Sequence, residues 1–342
     1  MVYSSEQALA TLKKHGRSFY FGSHLLGHVY RDRAARLYTF CRYVDDLVDE
    51  SNDFALAAHN IEELKQSLFR KDSAQPVVRQ MISLMQEVNI PTAPVLSLIE
   101  GVGSDLDARC IQDEPELIQY AYQVAGTVGL MMCKVMDVDD ERAWPFAIDL
   151  GIAMQLTNIA RDIGADAKMG RLYIPRAWFR EIGMDADAWL ADPVFDSRIA
   201  GFTQRLLLRA DALYRRGEFG LAELPWDCRP AIQAARLVYA EIGKQLEREG
   251  LDSVNHRTVV STARKLALLA RAAAVAVKAP AVPAVTLNPV PAIHYLVDIV
   301  SRERNPLVHE KPWMVPVRSF DERVEWMVDL FGRLEQREKT PR

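Results

Sequence analysis

The chain has 342 residues, of which 49% are hydrophobic, and 42 Lys and Arg stand against 46 Asp and Glu. A net charge of −4 argues against general nucleic-acid binding, which needs a basic surface. No uninterrupted apolar run reaches the roughly 20 residues of a membrane span. The first residues lack the apolar core of a secretory signal, so we expect a cytoplasmic protein.

The cysteines show no CxxC spacing. Cys41, Cys110 and Cys133 fall among predicted helix residues, and Cys228 lies far from them in sequence. We therefore expect buried free thiols rather than a metal site or a disulfide framework.

Helical periodicity dominates the sequence and predicts an all-α fold. Apolar residues at i, i+3, i+4 and i+7 predict helices over 33–49 and 143–166, and Pro115 opens a third that reaches about residue 136. Further helices are predicted, in chain order, over 5–15, 56–70, 76–87, 94–108, 194–219, 229–249 and 258–278. A Ser-x-x-Glu capping box at 319–322 predicts a last helix.

One linker-like stretch, rich in Pro, Ala and Val, covers 279–291. We predict a single all-α domain over 1–278. Residues 279–342 are predicted to be a Pro/Ala-rich linker and a C-terminal helical extension packed on the same domain.

The first predicted helix ends in an acidic segment. Asp45 and Asp49 are four residues apart and share a helix face with Tyr38 and Arg42. Like charges at this spacing repel by about 0.2–0.5 kcal/mol, and Asp is a poor interior helix former. This pattern indicates a group outside the helix that binds the carboxylates.

The helix over 143–166 repeats the arrangement. Asp162 and Asp166 are again four residues apart, and they share a polar stripe with Gln155 and Asn158. This stripe borders the apolar face, as it does in the first segment. Both helices can therefore point carboxylates into the interior of the protein.

Four carboxylates facing one cavity require protons, cationic partners or metal ions. Oxygen ligands suit Mg²⁺, which usually keeps waters and substrate phosphates in its coordination sphere. Basic residues lie close to both pairs, namely Arg42, Arg161, Lys168 and Arg171, as a diphosphate ligand would require. The alternative is two solvated, charged helix faces, and spacing alone leaves both interpretations open.

These segments resemble known sequences. Residues 38–50 and 153–175 are similar to the two aspartate-rich motifs of the squalene/phytoene synthase family, and the second match is long and specific. Residues 18–21 and 122–129 resemble two further blocks, and the resemblance spans about residues 10–275. It implies a single all-α isoprenoid-synthase bundle with a central cavity.

The resemblance also implies roles for individual residues. The implied metal ligands are Asp45, Asp49, Asn158, Asp162 and Asp166. The residues implied at the reacting region or the diphosphates are Ser18, Tyr20, Phe21, Tyr38, Arg42, Tyr122, Gln155, Arg161, Lys168, Arg171, Tyr239, Arg264 and Lys265. Relatives carry a denser basic cluster after Arg257, so either Arg264 or Lys265 could be the residue that contacts a diphosphate.

The implied reaction joins two allylic diphosphates head to head through a cyclopropylcarbinyl diphosphate. Residues 228–239 most resemble the bacterial phytoene synthases of the family, which implies geranylgeranyl diphosphate as the substrate and phytoene, a carotenoid precursor, as the product. The implied cofactor is Mg²⁺, with Mn²⁺ as an alternative, and NADPH is not expected. Peripheral contact with the inner membrane for product release and contact with downstream carotenoid enzymes are compatible with an oily product.

Two alternatives remain at this point. A squalene or dehydrosqualene synthase would use farnesyl diphosphate, and chain length depends on cavity depth, which spacing does not reveal. A non-catalytic assembly factor would be expected to carry degraded acidic motifs, whereas both motifs here are intact.

Overall fold

The computed structural model describes residues 25–51, 53–107, 110–276 and 290–294. Within these ranges the chain is helical, contains no β-strand and has one isolated bridge, between Cys110 and Leu172. The predicted all-α class is thus confirmed. The predicted helices at 5–15 and after 319 lie outside the described residues, as does nearly all of the predicted extension over 279–342.

The α-helices follow one another as α1 (His28–Asp49), α2 (Phe54–Arg70), α3 (Pro76–Val88), α4 (Thr92–Gly103), α5 (Glu114–Ala121), α6 (Thr127–Val135), α7 (Trp144–Lys168), α8 (Arg176–Glu181), α9 (Ala186–Ala191), α10 (Ser197–Phe219), α11 (Arg229–Arg248) and α12 (Thr262–Ala276). The longer helices match the predicted ones to within a few residues. The short helices α8 and α9 were not predicted, because six residues are too few to establish a helical period.

Capping residues explain where several helices begin. Each of four aspartates accepts a hydrogen bond from a backbone N–H of the first turn that follows it, and these caps are Asp53, Asp113, Asp185 and Asp196. Such caps stabilise a helix by about 0.5–2 kcal/mol relative to Ala. Proline occupies the first turn of α3, α5, α7 and α11, where its missing N–H is not needed.

Two apolar clusters form the core. The larger cluster surrounds α7 and includes the fully buried Ile152 and Leu156. The smaller cluster lies among α1 to α4 and includes Phe40 and Val44 of α1. Helix α6 contributes residues to both clusters. It therefore joins the half of the bundle that holds α1 to the half that holds α7.

The predicted helix over 115–136 is interrupted by a π-helical segment, Tyr122–Gly126. Helix α7 approaches this region backbone to backbone, because a Cβ at Gly151 would meet the Ala125 carbonyl oxygen at 2.3 Å and one at Gly129 would meet the Ala147 carbonyl oxygen at 2.2 Å. The glycine at 129 therefore serves close helix packing. Such a short π-helical segment within an α-helix is frequent at functional sites.

Within the described ranges, no helix combines the length and the apolar character that crossing a bilayer requires. The side chains of Cys133 and Cys228 are buried thiols, as expected, and Cys41 is partly buried. The expectation was wrong for Cys110, which is exposed because it lies in the loop before α5 rather than on a helix.

Candidate active site

The first acidic motif lies on the last two turns of α1. Asp45 and Asp49 follow directly after Val44 and Val48, which are buried in the smaller apolar cluster. The last turn of α1 carries no basic residue, and the helix dipole disfavours carboxylates at a C-terminus by about 0.3–1 kcal/mol. The helix itself therefore does not stabilise these acids, as expected for side chains that serve a ligand.

The second acidic motif occupies the C-terminal half of α7. Gln155, Asn158, Asp162 and Asp166 are all partly exposed, whereas the residues between them on the apolar face are buried. Asn158 Nδ2 lies 3.4 Å from Gln155 Oε1, at the long end of hydrogen-bond distances. The polar stripe predicted from spacing is thus present on the folded helix.

An ion pair across the bundle joins the two motifs. Arg171, in the segment after α7, donates from Nη1 to Asp49 Oδ1 at 2.8 Å. Asp105, in the turn after α4, lies close enough to raise the pKa values of both Asp45 and Asp166 by charge repulsion. The carboxylates of α1 and α7 therefore face one shared space.

Two of the four motif carboxylates, Asp45 and Asp166, form no direct ion pair with a described residue. Burial, reinforced by the charge of Asp49, raises the pKa of Asp45 to about 7. Burial, reinforced by the charge of Asp162, raises the pKa of Asp166 to about 7. The side chains of Asp45 and Asp166 form no ion pair or hydrogen bond with any described residue. Ionising these groups is therefore costly unless a cation arrives from outside.

Asp162, in contrast to Asp45 and Asp166, forms ion pairs with two arginines. Arg161 donates from Nε to Oδ1 at 2.9 Å and from Nη2 to Oδ2 at 2.5 Å. Arg257 donates from Nε to Oδ1 at 2.7 Å and from Nη2 to Oδ2 at 3.2 Å. Burial alone would raise the pKa of Asp162, but these bonds outweigh it and the pKa lies below its ordinary value. Asp162 is therefore ionised at neutral pH.

Arg257 reaches Asp162 because the segment before α12 crosses α7 at a glycine. The Gly164 N–H donates to the Ser253 carbonyl oxygen at 2.9 Å, and a Cβ at Gly164 would meet the Val254 carbonyl oxygen at 2.0 Å. Sequence reasoning did not assign Arg257 to the site. The available signal was the glycine between the two aspartates of the second motif, which marks a close backbone approach.

Asp105 was also not predicted, since no acidic neighbour at helical spacing marks it. The Tyr120 and Tyr173 hydroxyls donate to Asp105 Oδ2 at 2.9 and 3.0 Å, and the two rings stack with centroids 5.0 Å apart. Burial raises the pKa of both tyrosines, so each keeps the proton that it donates. The carboxylate is thereby held between the two acidic motifs.

Two of the predicted tyrosines lie beside the acidic motifs. Tyr239 of α11 lies near Arg161 and Asp162 of the second motif, and burial raises the pKa of Tyr239 to about 12. Burial likewise raises the pKa of Tyr38 on α1. Both phenols are therefore neutral and can present their rings to a ligand. Tyr122 is buried at the start of the π-helical segment.

Arg42 of α1 pairs with Asp46, one turn further along the helix, rather than with Asp45 or Asp49. Its charge nevertheless lowers the pKa of Asp45. Lys168, at the end of α7, is exposed.

Arg264 of α12 pairs with a carboxylate that lies outside the two acidic motifs. Its Nε and Nη2 donate to the two oxygens of Glu241 at 2.9 and 3.0 Å, and Glu241 is buried on α11. Lys265 beside it is partly buried. The predicted residues Ser18, Tyr20 and Phe21 lie outside the described residues.

These donor groups fit a hard divalent cation. Carboxylate and amide oxygens are the ligands that Mg²⁺ takes from proteins, and the carboxylates of Asp45 and Asp166 form no ion pair or hydrogen bond with a described residue. No three His, Cys, Asp or Glu side chains converge on one point within the described ranges. Mg²⁺ commonly completes its shell with water and substrate phosphates, and such a shell suits two facing carboxylate pairs.

Comparison with known proteins agrees with this geometry. The family model "Squalene/phytoene synthase" matches residues 12–265. The phytoene synthase of Cereibacter sphaeroides is 38% identical over 301 residues, covering 84% of this chain and 85% of that protein. The 15-cis-phytoene synthase of Enterobacter agglomerans is 35% identical over 272 residues, covering 76% of this chain and 92% of that protein. A solved dehydrosqualene synthase with a bound ligand superposes with a TM-score of 0.70 at 28% identity, covering 79% of this chain and 95% of that one. The chain therefore belongs to the squalene/phytoene synthase family.

Proposed function

We propose that this protein is a phytoene synthase, which condenses two geranylgeranyl diphosphates head to head into phytoene and releases two pyrophosphates. The observation that carries the proposal is the pair of facing acidic motifs, each with one carboxylate that forms no ion pair with a described residue, joined by Arg171 and Asp49. Curated relatives named phytoene synthase, matched over most of the chain, support the choice of substrate.

The metal would be held by the two motifs. Asp45 and Asp49 would supply ligands from α1, and Asn158, Asp162 and Asp166 would supply them from α7. Bound Mg²⁺, or Mn²⁺ in its place, lowers the charge of a diphosphate and makes pyrophosphate a better leaving group. Activity is expected without NADPH.

Arginines would bind the diphosphate oxygens that the carboxylates cannot approach. Arg171 and Arg257 enter the space between the motifs from two segments that are not helical, and each reaches a motif carboxylate. A planar guanidinium binds phosphate oxygens in a fixed geometry, which holds the leaving group in place while its bond to carbon breaks.

The aromatic residues would protect the allylic cation that remains when pyrophosphate leaves. Tyr38 and Tyr239 stay neutral, and their π faces can stabilise a positive charge by about 0.5–2 kcal/mol. The buried ring of Tyr122 lies where the π-helical segment meets α7. Apolar surroundings would exclude water, which otherwise traps the cation as an alcohol.

The second reaction uses the same groups. The double bond of one substrate attacks the cation of the other, a proton is lost, and cyclopropyl (prephytoene) diphosphate forms. This intermediate ionises in turn, rearranges and loses a proton to give phytoene. Because the product is a hydrocarbon, we propose that it leaves to a membrane surface that the protein, located in the cytoplasm, contacts peripherally.

A second candidate is suggested by the solved dehydrosqualene synthase that superposes on this chain. That activity would use farnesyl diphosphate at the same carboxylates. The two functions differ in the length of the apolar chain that the cavity accepts, and the curated relatives favour the longer substrate.

Incubation with Mg²⁺ and either geranylgeranyl or farnesyl diphosphate, without NADPH, tests the proposal when products are identified by mass. We expect phytoene and pyrophosphate from geranylgeranyl diphosphate. Turnover of farnesyl diphosphate alone would contradict the substrate assignment. Absence of pyrophosphate release from both substrates would contradict the enzymatic function.

A further inference from the structure

Two arginines outside the motif helices each neutralise one motif carboxylate. Arg171 lies between α7 and α8 and binds Asp49 of α1, while Arg257 lies before α12 and binds Asp162 of α7. Each motif thereby has one carboxylate paired with an arginine from a loop segment and one carboxylate, Asp45 or Asp166, that makes no such pair within the described residues.

These two ion pairs differ from those that stabilise the scaffold. In the motif pairs the side chains of Asp49 and Arg257 are 44% and 62% exposed, and their partners Arg171 and Asp162 are 21% and 17% exposed, so water reaches both pairs. Glu241, which pairs with both Arg248 and Arg264, is 2% exposed, so its charge is buried and depends on these arginines. Solvent-exposed pairs contribute little to stability, whereas pairs with a buried charge resist separation. The pairs at the acidic motifs are therefore the exchangeable ones.

A carboxylate oxygen that accepts a guanidinium hydrogen bond is a poorer ligand for a metal ion, because two cations then compete for it. A cation that binds Asp49 or Asp162 must loosen the arginine pair. The displaced guanidinium then needs another anion, and a diphosphate on the metal supplies one at short range.

We propose that Arg171 and Arg257 exchange partners during loading: they neutralise Asp49 and Asp162 in the ligand-free protein and move to the diphosphate when the metal binds these carboxylates. The inference rests on the proposed metal–diphosphate function and adds that the binding of metal and the binding of diphosphate are coupled. Metal alone binds weakly, because nothing accepts the displaced arginines, and metal together with diphosphate binds tightly. Such coupling between two ligands commonly amounts to about 5–150-fold in affinity.

The exchange predicts opposite effects on the two ligands. In Arg257→Gln and Arg171→Gln, Mn²⁺ alone has one arginine fewer to displace and should bind about fivefold tighter than in the wild type. Inorganic pyrophosphate, titrated at a constant excess of Mn²⁺, should bind at least about fivefold weaker, because the acceptor guanidinium is gone. An arginine that only contacts diphosphate would leave the affinity for Mn²⁺ unchanged, and one that only supports the fold would weaken both.

The experiment is calorimetry on the full-length chain with Mn²⁺ alone and then with pyrophosphate, and circular dichroism verifies that each variant is folded. Arg215→Gln is the matched control, since it removes one arginine from an exposed pair with Asp211 on α10 and should change neither affinity. Tighter Mn²⁺ binding with weaker pyrophosphate binding in the Arg257 and Arg171 variants would support the exchange. Unchanged or weaker Mn²⁺ binding in folded variants would overturn it. If the wild type bound no Mn²⁺ even with pyrophosphate, the proposed metal site itself would fail.

Discussion

Helix α7 carries two acids with opposite roles, about 25 Å apart along its axis. Asp149 near its N-terminus is 1% exposed and accepts a hydrogen bond from Arg216 of α10 at 2.7 Å. Asp166 near its C-terminus has no such partner among the described residues. The difference shows how one helix serves both scaffold and site: a buried acid paired with a protein cation joins two helices, and a partly exposed acid without such a pair is available to an external cation.

The largest expected effect comes from Asp166→Asn. It removes a proposed ligand and should lower turnover about a hundredfold or more, as loss of one charge-stabilising group commonly does. Because the substitution also removes uncompensated charge, the metal-free protein should be no less stable at pH 8 than the wild type. Steady-state kinetics and urea unfolding measure the two effects.

Asp149→Asn is the matched control for Asp166→Asn, on the same helix. It should lower stability and leave the rate per folded molecule close to that of the wild type. If Asp166→Asn destabilised the metal-free protein as strongly as Asp149→Asn, the distinction between the two acids would be wrong.

Arg216→Gln tests whether the ion pair between Asp149 of α7 and Arg216 of α10 stabilises the fold. Burial raises the pKa of Asp149 to about 6, although Arg216 opposes the rise. Without Arg216 the pKa rises further, so the buried carboxylate is uncompensated at pH 8 and largely protonated at pH 5. The free energy of unfolding should therefore fall by about 3 kcal/mol at pH 8 and by clearly less at pH 5. Equal losses at both pH values in urea unfolding would count against the assignment.

Gly164→Ala tests how the second motif acquires its arginine. The new methyl group would meet the Val254 carbonyl oxygen at 2.0 Å, so the segment that positions Arg257 must move. We expect a loss of about 1–3 kcal/mol in stability and reduced turnover. Gly201→Ala on α10, where the added Cβ would meet nothing within 4 Å beyond the backbone of its own helix, should instead stabilise by about 0.5–1 kcal/mol. Thermal unfolding of both variants measures these changes in stability. Similar stability changes in the two variants would exclude the close approach of the Val254 backbone to Gly164.

The smallest effect concerns Asp105, the acid that lies between the motifs. Tyr120→Phe removes one of two hydroxyl donors and should destabilise by about 1–2 kcal/mol with a modest drop in rate. Tyr173→Phe removes the other donor and should behave similarly. A null result in both unfolding experiments would indicate that these bonds do not hold Asp105.

The sequence predicted the helices and the polar stripe that carries Asp162 and Asp166, because both depend on spacing along one helix, whereas the role of the four motif aspartates as metal ligands stays a prediction. It did not predict Arg257 or Asp105, since each is brought to the site by the packing of distant segments. The π-helical interruption of the 115–136 helix lies in close backbone contact with α7, which no local pattern reveals. The contact between Arg264 and Glu241 is likewise tertiary, so the basic residues of α12 could not be assigned to the diphosphate or to the scaffold from their order alone.

Thermal unfolding with and without Mg²⁺ plus pyrophosphate tests most directly whether α1 and α7 form one site. A ligand at one hundred times its Kd stabilises the folded state by about 2.7 kcal/mol. We predict that the melting temperature of the wild type rises on adding both ligands, and that Asp45→Asn on α1 and Asp166→Asn on α7 each abolish the rise. A full rise in either variant would contradict a single site shared by the two motifs.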